Sequence, residues 1–346
     1  MAPFADPRFY RTDLLEHLLA QSRAAQLTSP DEAAGLADLA ISIAERIQDD
    51  SDTKRSALVQ ARCLSANAYR LASLFDLADE MLSRTSELLD PMPGYDEAHR
   101  ALYCRTLALL RWDQGRLDEG VALLRQAWSL YRDLKDGAEW KTCSLLLALL
   151  YEEMGLPEGI TAAIGPFLGE WFEPTCRPWL TSRAMLTFAA AAGAEGRLIV
   201  LFALDEGVRF QGNVSDTHEQ LRLFALEGRA RARLGFSDEA LQMIEAVRRQ
   251  YLRDGKLVDL TLSSLDLLAL RVATEQQPGI EELLGDLESL GHRHLPSFEL
   301  ASAALDRFVS WVAGDEDPWV SQRVAATWYL QTLRFRGLHP YPLPFA

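Results

Sequence analysis

Apolar positions recur along this chain at helical spacing. After Gly115 they fall at Val121, Leu124, Trp128 and Tyr131, and after Gly235 at Ala240, Ile244, Val247 and Tyr251. Each set forms one stripe at 3.6 residues per turn, the mark of an amphipathic helix with one face in a core. No useful length of the chain alternates apolar and polar residues as a half-buried strand would. Breakers punctuate the stripes: Gln114-Gly115-Arg116, Met154 to Pro157, Glu195-Gly196-Arg197 and Leu234-Gly235-Phe236. The glycines at 115, 155, 196 and 235 advance by close to forty residues each time. Between them lies a second, more variable loop, such as Asp90 to Gly94 or Asp254-Gly255. The pattern predicts helix–turn–helix units, about eight of them with about sixteen helices. Ser29-Pro30-Asp31-Glu32 predicts a capping box, and Asp118, Glu119, Asp238 and Glu239 fall in first turns, where acidic side chains suit the helix dipole.

Three units carry a more specific pattern. Residues 101–127 place Ala108 in a first helix, Gly115 at the turn, and Gly120 and Ala127 in a second helix. Ala66, Tyr69, Ser73, Ala78 and Leu82 repeat the frame, as do Gly228, Gly235, Ala240 and Ile244, with Arg231 in place of the aromatic. Small residues where two helices cross let the backbones approach, and glycine supplies the left-handed residue that ends the first helix. The chain resembles the tetratricopeptide repeat (TPR) family in these units, with a period near forty where the family's usual one is 34. The resemblance implies an all-α, right-handed α-solenoid of about eight antiparallel helix pairs. Residues 1–337 would form one repeat domain and 338–346 a Pro-rich tail, which is expected to cap the last pair through Tyr341 and Phe345, a polyproline-like recognition segment being the alternative. The C-terminal half resembles the end of long bacterial TPR proteins, some associated with signalling or transcription regulators. The resemblance also implies a concave groove lined by first-helix positions: Asn67 and Arg70; Arg105, Trp112 and Asp113; and Arg222, Arg229 and Arg233. Asn67 matches the family's peptide-backbone-gripping asparagine. Cys63 stands where a carboxylate-clamp member has Lys or Asn, which speaks against terminal-carboxylate capture there.

Composition narrows the function. Of 346 residues, 48% are hydrophobic and 25% charged, the balance of a folded protein. A net charge of −15 argues against a nucleic-acid partner, which needs clustered cations to release counterions. Residues 1–6 show no secretory leader, and the apolar runs 145–151 and 199–204 are far shorter than the roughly 20 residues that span a bilayer. A cytoplasmic protein with reduced cysteines and no membrane partner is expected. Phosphate loops, dinucleotide fingerprints, nucleophile elbows and paired-histidine zinc motifs are all missing, which predicts neither enzyme activity nor cofactor nor metal. His218-Glu219 opens like a metalloprotease motif, but Arg222 occupies the place of the second histidine; a solvated helix start is expected. His292-Arg293-His294 is expected to be a loop.

Cys63, Cys104 and Cys143 recur at near-forty spacing, which predicts a small buried packing position; metal binding or oxidation sensing is the sharper alternative. Arg222, Arg229 and Arg233 share one helix and suit an acidic peptide, against the alternative of a solvated, salt-bridged face. The function expected is a scaffold or adaptor that binds a peptide or protein segment in its groove. The alternative is a ligand-sensing regulatory module controlling a partner in bacterial signalling. Reversing the charge of Arg229 and Arg233 is expected to abolish partner recovery and leave the helical signal unchanged.

Overall fold

The computed structural model describes residues 12–26, 29–47, 51–89, 97–172, 178–192, 197–211, 217–274 and 317–335, with single positions near 280 and at 310. Fourteen α-helices occur among them: α1 (Thr12–Ala25), α2 (Pro30–Ala44), α3 (Ser51–Leu71), α4 (Phe75–Leu89), α5 (Glu97–Asp113), α6 (Leu117–Asp133) and α7 (Gly137–Glu153); then α8 (Pro157–Ile164), α9 (Pro178–Ala192), α10 (Arg197–Gln211), α11 (Thr217–Arg233), α12 (Ser237–Asp254), α13 (Leu257–Ala273) and α14 (Pro318–Phe335). A 3-10 segment, Gly165–Phe172, follows α8, and the described residues contain no strand. The described residues divide into two compact units, one up to Cys143 and one from Ser144, so the border runs through α7. The sequence pattern, which reads 1–337 as one domain, carries no sign of that border. Gly196, Cys176, His292-Arg293-His294 and the tail 338–346 lie outside the described residues.

One turn design recurs throughout. Four glycines, Gly115, Gly155, Gly235 and Gly255, and two non-glycines, Ser73 and Lys135, have positive φ. At each, the following residue's N–H bonds back five residues to close the helix: Leu74 to Tyr69, Arg116 to Arg111, Asp136 to Tyr131, Leu156 to Tyr151, Phe236 to Arg231 and Lys256 to Tyr251, all at 2.8 to 3.0 Å. These are Schellman closures. That following residue then gives its carbonyl to the next helix: Arg116 accepts from Gly120 and Phe236 from Ala240, both at 3.0 Å. One residue thus ends one helix and begins another, which explains why Arg116, Leu156, Phe236 and Lys256 stand at N-cap positions without a side-chain cap. The capping box expected at Ser29 is not formed. Helix α2 does begin at Pro30, but Ser29 makes no side-chain cap bond, and its carbonyl alone accepts the first helical N–H, from Ala33.

Left-handed backbone costs an L-residue with a side chain about 1–2 kcal/mol. Lys135 is exposed with φ 59°, so Lys135→Gly is expected to raise stability by about 0.5–1 kcal/mol in urea denaturation. At Gly235, φ is 90° and a Cβ would meet nothing within 4 Å. The expected loss of about 1 kcal/mol for Gly235→Ala is therefore conformational, not steric.

The apolar stripes pack as their spacing predicts. In the first unit, Leu15, Leu18 and Leu19 of α1 meet Ala37, Ala40 and Ile43 of α2 and Leu58, Ala61 and Leu64 of α3. Val59, Cys63 and Ala66 of α3 meet Ala78 and Leu82 of α4 and Leu110 of α5. In the second unit, Ala232, Ala240, Ile244, Leu265, Leu268 and Ala325 tie α11 through α14 together. The small-residue rule holds where α11 crosses α12: a Cβ on Gly228 would lie 2.8 Å from Ile244 Cγ1.

Candidate functional site

The eight residues singled out by the repeat frame divide between the two units. Four of them are closed off in the first: Asn67 is 5% exposed, Arg70 1%, Trp112 2% and Asp113 4%. Gln26 follows α1 and is fully buried; it accepts from Asn67 Nδ2 and donates its own Nε2 to the Leu64 carbonyl at 3.1 Å. Asn67 Oδ1 accepts from Arg70 Nε at 2.9 Å, and Arg70 Nη1 pairs with Asp113 Oδ2. The structure makes these residues an internal network joining α3 to α5 and the end of α1. Tyr69 points elsewhere: its hydroxyl donates to Asp38 Oδ2 of α2 at 2.6 Å, and burial together with that carboxylate pushes the phenol up to about 12. Arg105 pairs with Glu139 at the start of α7. Burial acts to lower its guanidinium, but Glu139 together with Tyr131, Cys143 and Cys63 holds it above the ordinary arginine range.

The three cysteines are packing residues. Cys63, Cys104 and Cys143 are free and buried, and burial pushes their thiols up to about 12, 11 and 12. Such thiols hold their proton and react poorly.

The second unit is different in kind. Arg222, Arg229 and Arg233 occupy one face of α11, seven and then four residues apart, and Asp259 and Asp266 one face of α13, seven apart. The two faces mesh: Arg222 Nε lies 3.3 Å from Asp259 Oδ1 and Arg229 Nη2 3.0 Å from Asp266 Oδ2. On the other side, Arg183 of α9 pairs with Glu219 of α11 at 3.1 Å. His218 Nε2 sits 3.4 Å from Asp259 Oδ2, with its ring edge-on to Tyr251 at 5.9 Å between centroids. This replaces the expected solvated helix start. Burial would raise Asp259, but His218 and Arg222 outweigh it and hold the carboxyl below its usual range.

Longer links cross the unit. Arg229 Nη1 reaches Glu152 Oε1 of α7 at 2.6 Å, passing over the repeat that contains α9. Gln322 of α14 donates to Asp266 Oδ1 at 2.6 Å. Gly155, in the α7–α8 turn, lies so close to α14 that a Cβ there would be 2.8 Å from Thr327 Oγ1. These links bring side chains of α7, α11, α13 and α14 together although the helices lie far apart in the repeat order. Asp266 is buried at the centre of this group: burial pushes its carboxyl up, partly offset by Arg229. For Arg229, burial acts downward, but Asp266 and Glu152 together hold the guanidinium well above its ordinary value. Arg222 and Arg229 are therefore salt-bridged and mostly withdrawn from solvent, with side chains 13% and 20% exposed. Four buried polar atoms on this interior have no hydrogen-bond partner among the described residues: Arg183 Nε, Thr187 Oγ1, Arg229 Nε and Thr327 Oγ1. Glu152, Thr187, Gln322, Arg323 and Thr327 escape a reading by repeat motif, because α7, α9 and α14 match the frame only in their turns and apolar phasing.

No protein-family model and no curated protein sequence matches this chain. Solved structures do. A Rap protein complexed with Competence and Sporulation Factor superposes with a TM-score of 0.59 at 10% identity, covering 94% of this chain and 88% of that one. The apo form of RapI superposes with a TM-score of 0.56 at 13% identity, covering 92% and 87%. The fold is a TPR-like helical-repeat solenoid, all α, and it is shared with these proteins over nearly their full lengths. None of the described helices is long and apolar enough to cross a membrane.

Proposed function

We propose that this chain is a peptide-binding regulatory module of bacterial signalling, cytoplasmic and without enzymatic activity, in which the first-helix faces of the second unit hold a short protein or peptide segment. The observation that carries this reading is the converging interior itself. It gathers side chains from α7, α9, α11, α13 and α14, and four of its buried polar atoms have no hydrogen-bond partner among the described residues. Buried polar groups in folded proteins are nearly always hydrogen-bonded, and unpaired ones are costly unless a ligand meets them. An extended peptide offers both backbone donors and acceptors to such a lining. Support also comes from the Rap protein that shares this fold and was crystallised with Competence and Sporulation Factor. Arginine-rich walls suit acidic groups on the ligand.

A regulatory outcome is favoured over passive scaffolding by the cross-links. A ligand entering the interior must exchange partners with Arg229, and Arg229 fastens α7, α11 and α13 together. Ligand binding and the spacing of those helices are then coupled, as population-shift regulation requires. The test is affinity selection of a random hexapeptide pool on the full chain, read by mass spectrometry. Reproducible enrichment of a related set of sequences is expected, with a changed radius of gyration in small-angle scattering when a selected peptide is added. A pool recovered with no enrichment over bare resin overturns the reading.

A further inference from the structure

Helix α9 is fastened to α11 at two levels. At one, Arg183 Nη1 meets Glu219 Oε1 at 3.1 Å; at the other, Arg233 Nη1 donates to the carbonyls of Ala190 at 2.8 Å and Ala191 at 3.2 Å. The two fasteners follow the same order along both helices, so α9 and α11 run parallel. Thr187 stands between the fasteners, one turn on from Arg183 and one turn before Ala190 and Ala191. It is 1% exposed, and its hydroxyl has no hydrogen-bond partner among the described residues. Arg183 Nε is likewise buried without a partner among them, although Nη1 of the same guanidinium is held.

The surroundings of Thr187 account for this. One turn on from Glu219, α11 brings Leu223, fully buried, to the level of Thr187, and Leu226 follows at 4% exposure; neither side chain offers a hydroxyl anything to bond. On its other side α9 is committed to α10. Ser182 Oγ donates to the Gly207 carbonyl at 2.8 Å, and a Cβ on Gly207 would lie 2.8 Å from Leu186 Cγ. The unmet hydrogen-bonding capacity of α9 therefore gathers on its seam with α11.

A buried polar group without a partner raises the energy of the state that buries it, and any state that supplies a partner gains by doing so. Arg183 Nε and the Thr187 hydroxyl can both donate. They stand one helical turn apart, about 6 Å along the axis. In an extended chain the carbonyls of residues i and i+2 point to the same side, about 6.6 Å apart. A two-residue step of an extended peptide thus matches the spacing of the two donors.

We propose that the α9–α11 seam is where the second unit takes its peptide: as the seam parts, Arg183 Nε and the Thr187 hydroxyl are paired by backbone carbonyls two residues apart in an extended segment. This deepens the peptide-binding reading and rests on it. Empty, the seam shuts over unpaired donors; parted, it presents them to the peptide. The ligand therefore selects the parted arrangement.

The test is Thr187→Val in the full chain, with Thr187→Ser beside it. Valine keeps the shape of the side chain and removes the hydroxyl, whereas serine keeps the hydroxyl. Stability is read as the urea midpoint in circular dichroism, and binding as retention of an acetylated, amidated random hexapeptide pool in affinity-selection mass spectrometry. Thr187→Val is expected to raise the midpoint, because the unpaired group is gone, while retention falls about tenfold. Thr187→Ser is expected to stay within about threefold of wild-type retention, with no rise in the midpoint. A side chain that only packs would not move stability and binding in opposite directions. A midpoint that does not rise in Thr187→Val, retention that does not fall, or a Thr187→Ser that loses as much retention as valine overturns the seam and leaves peptide binding in place. Retention of no peptide by the wild type overturns both.

Discussion

Replacing Asp113 with alanine is expected to destabilise the first unit by about 3–5 kcal/mol, read as a lowered urea midpoint in circular dichroism. The Arg70 and Asp113 side chains are 1% and 2% exposed, so neither charge has water to turn to when its partner is removed. Arg70 already carries one buried nitrogen, Nη2, without a hydrogen bond. Deleting Asp113 would strand a whole guanidinium, and the strain would pass through Asn67 to Gln26. The pair's net worth is a separate quantity. Desolvating both ions consumes most of their mutual attraction, so the double substitution Arg70→Met with Asp113→Leu is expected to recover most of the loss. A double variant no better than Asp113→Ala would mean that the network contributes more than charge balance.

The second large effect is expected in the other unit. Arg229→Glu would set a third carboxylate against Glu152 and the buried Asp266, and should cost about 3–5 kcal/mol of that unit's stability. Arg229→Met should cost less, because it leaves the two acids unpaired without adding a third, and Asp266 can take up a proton. This changes what charge reversal reports. From the sequence, Arg229→Glu with Arg233→Glu reads as a clean probe of partner binding that spares the helical signal. In the structure Arg229 is a structural tie, so lost binding in that variant would report lost packing.

The contrast shows what was legible in the chain. The left-handed turns at Gly115, Gly155 and Gly235 announce themselves because glycine is the residue that adopts them freely, and the forty-residue lattice follows. Ser73 adopts the same backbone on that lattice, and Lys135 adopts it in the loop between α6 and α7, yet their side chains give no warning. The spacing of Arg222, Arg229 and Arg233 correctly places them on one face. Their partners lie 37 residues onward at Asp259 and Asp266 and 77 residues back at Glu152, and no local pattern joins those positions. For the same reason the frame points to Asn67, Arg70, Trp112 and Asp113 as groove residues. A repeat frame specifies which side of a helix faces inward, but whether that side meets water or another polar side chain depends on distant residues such as Gln26.

The links that cross the second unit also bear on its mechanics. A stack of repeats touching only its neighbours behaves as a spring, and its end repeats fray first. Arg229, joined to α7 and α13, and Thr327, lodged against the turn after α7, connect early and late repeats of the unit directly. A spring whose coils are stitched together deforms as a frame. Amide hydrogens in α7 and α14 should therefore exchange with deuterium in concert, through one shared opening, although more than 160 residues of chain separate the two helices.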